Sequence, residues 1–169
     1  TFAFMKNLFF LFLVAFLAFL SCRNDDVEVQ QIDQILQIYI DSAGQDMLNS
    51  NLNGGYTSIS MNDVYGITDS APVSFNQKKD ADTISYIEYV AGSRRILVDS
   101  SASTKIFESK IALAMTKKIN DSVSFSINDT MIIHYNSSPT LFQVAKVWYN
   151  GQLKFTKVQD QPNIVKIVK

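Results

Sequence analysis

Apolar residues recur at every second position over much of this chain, in stretches cut short by Asn, Asp, Gly and Ser. That period belongs to strands that bury one face, because successive side chains of a strand point to opposite sides. Leu36, Ile38 and Ile40 alternate with Gln37 and Tyr39, and the segment Asp41-Ser42-Ala43-Gly44 then reads as a turn. Further strands are expected at Tyr56 to Met61, Asp63 to Ile67, Thr83 to Val90 and Arg94 to Asp99, with Pro72 in a loop or at an edge because it cannot donate to a ladder. In Thr83 to Val90, Ser85, Ile87 and Tyr89 share one face and Ile84, Tyr86, Glu88 and Val90 the other.

Phe107, Ile111, Leu113 and Met115 share a parity within Ile106 to Met115, which reads as strand although Ala112-Leu113-Ala114-Met115 also suits a helix. Asn120-Asp121 and Asn128-Asp129 are expected to bracket a weak strand, Val123 to Ile127, with a stronger one at Thr130 to Tyr135. The sharpest local signal is Phe142 to Tyr149, Asn150-Gly151, and Gln152 to Val158. Asn-Gly supplies the positive φ angles of a type I′ hairpin turn. In the first arm, Val144 and Lys146 alternate with Ala145 and Val147, so polarity alone leaves the buried face open. A last strand is expected at Ile164 to Val168. Strands at this density in one domain predict an all-β fold, a single immunoglobulin-like antiparallel β-sandwich.

The N-terminus follows a different rule. After Met5-Lys6-Asn7, where translation is expected to begin, comes the apolar run Leu8 to Leu20, then Ser21-Cys22 and the polar Arg23-Asn24-Asp25-Asp26. A positive start, a short apolar core and a small residue before the cut make a secretory signal. A spanning helix needs about 20 apolar residues, more than this run supplies. The expected organisation is a cleaved signal peptide over 1–21, a tether over 22–33 and a sandwich over 34–169. About 150 residues remain after cleavage, enough for one core. Cys22 is the only cysteine, so no intramolecular disulfide is expected despite export.

Phe19-Leu20-Ser21-Cys22 resembles the lipobox of bacterial lipoproteins, with Phe19 in place of the usual Leu and Leu20 bulky for its position. That looseness is familiar in lipoproteins of the Bacteroidetes. The resemblance implies diacylglycerol on the Cys22 thiol, cleavage before Cys22 and acylation of the new amine; several acyl chains would anchor the protein stably, since each buried methylene contributes about 0.8 kcal/mol. Arg23-Asn24-Asp25-Asp26 is similar to the acidic tag of surface-exposed lipoproteins in that phylum, making Asp25 and Asp26 candidates for an export signal. Asp41-Ser42-Ala43-Gly44-Gln45-Asp46-Met47-Leu48 is similar to a turn of small Bacteroidetes lipoproteins, with Met47 departing from their commoner Leu. The localisation implied is the outer membrane, lipid-anchored, at the cell surface.

The chemistry of the remainder is sparse. Fifteen Lys and Arg face sixteen Asp and Glu, a net charge of −1 that becomes more acidic once Lys6 is removed. Lys78-Lys79, Arg94-Arg95 and Lys117-Lys118 are separate pairs rather than a basic stripe, so no nucleic-acid partner is expected. His134 is the single histidine and is expected to pack or lie at the surface rather than act as a base. A zinc site or a Cys-His pair has too few ligands, and no Gly-x-Ser-x-Gly elbow occurs. No cofactor is expected. Asp41 and Asp46, with nearby Asn49, Asn51 and Asn53, are a weak calcium candidate, but the spacing misses the EF-hand loop and the same residues form ordinary turns. Trp148 and Tyr149 are the candidate ligand contacts, with Tyr149 the more exposed beside Asn150 and Trp148 more suited to the core. The sequence therefore reads as a non-catalytic binding or structural module whose partners are envelope proteins or extracellular glycans. A periplasm-facing accessory subunit and a carboxylate-dependent hydrolase are the alternatives.

Overall fold

The computed structural model describes residues 29–120 and 123–169. The expected signal peptide, Cys22, Asp25 and Asp26 lie outside the described residues, as does most of the tether. The described residues form no helix, and none therefore is long and apolar enough to cross a membrane. Twelve strands are described: β1 (Gln31–Asp33), β2 (Ile35–Ser42), β3 (Gln45–Asp46), β4 (Tyr56–Asp63), β5 (Asn76–Lys79), β6 (Ser85–Val90), β7 (Ile96–Ser100), β8 (Lys105–Asn120), β9 (Val123–Ser137), β10 (Leu141–Tyr149), β11 (Gln152–Thr156) and β12 (Asn163–Val168).

They build two sheets around one core. The larger runs β1-β10-β9-β8-β4, with β11 beside β1 along β10 and β7 beside β4 along β8. The smaller runs β12-β2-β6-β5, with β3 on the end of β2. The all-β sandwich expected from the alternation is thus present. Most pairings are antiparallel; β1 with β10 and β12 with β2 are parallel. Those two follow from the N-terminal segment, which passes from one sheet to the other at Gln34 while keeping its direction.

On β2 and β8 the inward parity is the expected one. Leu36, Ile38 and Ile40 of β2, Ile87 and Tyr89 of β6, and Val165 and Ile167 of β12 meet Ile111, Leu113 and Met115 of β8 and Met131, Ile133 and Tyr135 of β9. Two hydroxyl pairs lie in the core: Ser109 and Tyr135 share a hydrogen bond at 2.9 Å, and the Tyr89 hydroxyl donates to Ser93 Oγ at 2.9 Å. At the end where the chain enters, the Arg95 guanidinium lies over the rings of Phe142 (4.6 Å) and Tyr135 (5.0 Å) and donates to Gln34 Oε1 and to the Ala91 carbonyl.

Three expectations are corrected, and one strand was not foreseen. Beyond Asp63, the last residue of β4, residues 64–67 are a turn and not a strand, because the buried Asp63 carboxylate accepts the Tyr65 amide (2.9 Å) and Gly66 closes back on the Asp63 carbonyl. Asn128-Asp129 does not interrupt a strand: β9 runs through it, since the Asp129 side chain turns to partners on other strands instead of to its own backbone. β5 carries no apolar alternation at all and forms by pairing with β6. The fold also begins before residue 34. Gln31–Asp33, assigned to the tether, pair with β10, and the Asp33 carboxylate is held by Lys157 Nζ (2.5 Å) and Asn163 Nδ2 (2.7 Å).

Candidate functional site

The outer face of the larger sheet carries the chemistry that the core does not use, and a bulge in β10 decides which side chains reach it. Phe142 and Val144 point inward, yet so does Val147, three residues on. The register with β9 shifts between Val144 and Lys146, inserting one extra residue. Without that insertion strict alternation would bury Lys146 and Trp148. With it, Lys146 is exposed, Trp148 lies on the outer face and Tyr149 is buried, at 4 % exposure. Tyr149 is therefore not the exposed contact its neighbour Asn150 suggested, and Trp148 is the half-buried surface aromatic. The odd spacing of Val144 and Val147 was the available sign of the bulge.

Trp148 packs against His134 of β9, ring centroids 4.5 Å apart and planes at 60°. His134 Nε2 stands 2.9 Å from Glu108 Oε2 on β8, and the Tyr65 hydroxyl donates to Glu108 Oε1 at 2.5 Å. Burial alone would raise the Glu108 carboxyl, but the hydrogen bonds from Tyr65 and His134, with the charges of His134 and Lys110, hold it below the ordinary carboxylate range. An ionised carboxylate can only accept, so His134 Nε2 carries the proton in this contact. The hydrogen bond to Glu108, followed by burial and the Glu108 charge, pushes the Tyr65 hydroxyl up to about 12.

Tyr65 reaches this face because its turn is clamped. The second oxygen of Asp63 accepts the Arg94 amide (2.5 Å), the Val64 amide donates to the Lys110 carbonyl (2.8 Å), and Arg94 Nη1 donates to the Tyr65 carbonyl (3.3 Å). Both oxygens of Glu108 are thus occupied by fixed donors, and the indole stands edge-on beside them. Such a surface suits a ligand with a flat apolar face and hydroxyl groups at its rim. Sequence reasoning missed Tyr65 and Glu108, whose partners are 43 and 26 residues away in the chain.

A second polar cluster closes the far end of the core. Asp129, 7 % exposed, accepts the Tyr149 hydroxyl (2.6 Å), Asn150 Nδ2 (2.6 Å) and Lys169 Nζ. Burial raises this carboxyl, and the hydrogen bonds from Lys169, Tyr149 and Asn150 outweigh it, so it sits below the usual range. Burial and the Asp129 contact together push the Tyr149 hydroxyl far up. The Asn150-Gly151 turn has φ angles of 48° and 78°, as the type I′ expectation requires.

Asp41 and Asp46 are near each other but face backbone donors. Asp41 Oδ1 accepts the Gly44 amide (3.0 Å), and the two oxygens of Asp46 accept the amides of Leu48 (3.0 Å) and Ser85 (2.8 Å). Among the described residues no group of three or more His, Cys, Asp or Glu side chains converges on a point that could hold a metal. Comparison of the chain with protein-family models, with curated proteins and with solved structures returns no match.

Proposed function

We propose that the chain is a lipid-anchored lipoprotein of the bacterial outer envelope that acts as a non-catalytic binding module, exposed at the cell surface. The sandwich is read as immunoglobulin-like, two sheets layered over one core. The single observation that supports the reading is the direction of the chain. Residues 29–33 join the sandwich at one end, where the Gln31 amide donates to the Thr140 carbonyl (2.9 Å) and Gln30 Nε2 to the Ser138 carbonyl (2.6 Å). From that end β8 runs 16 residues, about 50 Å at the usual strand rise, so its hairpin with β9 stands at the opposite pole. An acylated Cys22 would then hold one pole at a membrane and leave the sheet face and the other pole toward a partner.

The partner class we favour is an extracellular glycan, with Trp148 supplying a flat apolar contact and the Tyr65, Glu108 and His134 cluster fixing polar groups beside it. The test combines fatty-acid labelling of the wild type and Cys22→Ala with protease shaving of intact cells, followed by glycan-array binding of the wild type and Trp148→Ala. Label lost in the mutant, on a chain removed by external protease, is the expected result. Label with full protection would turn the reading to a periplasm-facing accessory subunit, and an unlabelled chain would overturn it. Glycan binding that survives Trp148→Ala would remove this face as the site.

A further inference from the structure

The hairpin at the far pole leaves one backbone edge open. Even-numbered residues of β9 direct their main-chain groups toward β10: the Thr130 carbonyl accepts the Asn150 amide (2.8 Å), and the Thr130 amide donates to Asn150 Oδ1 (2.8 Å). Beyond Thr130 the chain of β10 turns back at Asn150-Gly151. Among the described residues no strand pairs that edge over Val123–Asn128. The other edge of the segment is in unbroken register with β8 from Ser124 to Ser137, so the alternation holds and Ser124, Ser126 and Asn128 present free amides and carbonyls outward. The segment carries no charge and no proline, two of the usual guards of an open edge, and the register shift of the ribbon lies at its Val123 end, where Ile119 is the extra residue of β8. On its inward parity Val123 and Phe125 are 47 % and 51 % exposed, while Ile127 packs against the core.

We propose that this edge pairs with the same edge of a second copy of the chain, antiparallel, with the two-fold axis at Phe125. The sequence Val123-Ser124-Phe125-Ser126-Ile127 is a near palindrome, which is what an isologous antiparallel pair requires. Centred on Phe125, the register sets Val123 against a second Ile127, Phe125 against its own copy and Ser124 against a second Ser126. Every residue then meets one on its own sheet face. The outward main-chain groups of Ser124 and Ser126 form the hydrogen-bonded pairs, and Phe125 falls at the closer non-hydrogen-bonded position. The strand that is added ends before Asn150, since Val123 of one copy lies opposite Ile127 of the other.

Two competing registers fail. A slip of one residue sets phenylalanine against serine across opposite faces. A slip of two toward Asp129 sets its engaged carboxylate against Val123. A charged residue near the axis would meet itself, and this segment has none. The two N-terminal ends point away from one another in this arrangement. The pairing does not depend on the envelope reading above.

Cross-linking of the full chain in the expressing cells tests it, because Cys22 is the only native cysteine and the wild type reports its background. Phe125→Cys is expected to form a disulfide-linked product of twice the chain mass at least about tenfold faster than Ser124→Cys, whose thiols would sit on different rungs of the ladder. Adding Ser126→Pro to Phe125→Cys removes an outward amide and is expected to abolish the product. The comparison of the two cysteine variants stands even where the proline disturbs the hairpin. Equal rates at the two positions, no product, or a product of some other mass would each overturn the proposal.

Discussion

The β8–β9 ribbon is one pair of strands in two environments. Along its inner half Ile111, Leu113 and Met115 lie beside Met131, Ile133 and Tyr135, and all are sealed from solvent. Along its outer half the same odd-numbered parity continues through Val123 and Phe125, which are half exposed. The side-chain pattern is the same in both; the difference is whether the second sheet lies above. Alternation specifies a face, and burial needs a partner layer. The open half also lacks β10 along its edge, so among the described residues it exposes both apolar side chains and unpaired backbone.

The widest gap between the halves should appear in stability. Leu113→Ala is expected to cost about 2–5 kcal/mol, as cavities in packed cores do, whereas Phe125→Ala should stay within about 0.5 kcal/mol, as exposed positions do. Denaturant melts of the two variants at low protein concentration decide this, and similar losses would mean that the outer half is covered.

Asp129 lies close to the boundary between the halves, so its removal should have an intermediate effect. Asp129→Ala strands the Tyr149 hydroxyl, the Asn150 amide and the Lys169 ammonium, and is expected to cost about 1–3 kcal/mol at neutral pH. Because the folded carboxyl sits below its unfolded value near 4, its stabilisation is present above that pH and fades as pH falls through the lower folded value. The deficit of Asp129→Ala relative to the wild type should therefore shrink below about pH 4, in melts run from pH 7 to 3. A deficit constant over that range would mean the carboxylate charge is not what the cluster uses.

The smallest effect concerns the outer face. The hydrogen bond to Glu108 pushes the Tyr65 hydroxyl up to about 12. Glu108→Gln should bring it back toward about 10. Ultraviolet titration of the wild type, Glu108→Gln and Tyr65→Phe resolves the shift. Its contribution to stability is full below the unfolded value and is lost as pH rises through the folded one.

The parts of the fold that could be read from the sequence share a physical cause. Strands β2 and β8 each carry a local pattern strong enough to name their buried face, β6 and β12 one strong enough to mark a strand, and Asn150-Gly151 carries its own turn. β5 has no such pattern, and the strand expected from Asp63 to Ile67 ends at Asp63 because that carboxylate clamps the following turn through the Arg94 amide, 31 residues on. At the candidate site, Trp148 and His134 were visible as unusual residues, but their neighbourhood with Glu108 and Tyr65 was not, and Trp148 and Tyr149 exchanged their expected environments through one inserted residue at the bulge.

Residue periodicity by itself determined the all-β class, most strand positions and the hairpin at Asn150-Gly151, because those depend on interactions between near neighbours and on which face a side chain occupies. Only the tertiary structure decided which half of the β8–β9 ribbon is covered, which of Trp148 and Tyr149 faces outward, and which donors hold Glu108 and Asp129. Those outcomes rest on pairings between residues tens of positions apart, and sequence proximity carries no record of them.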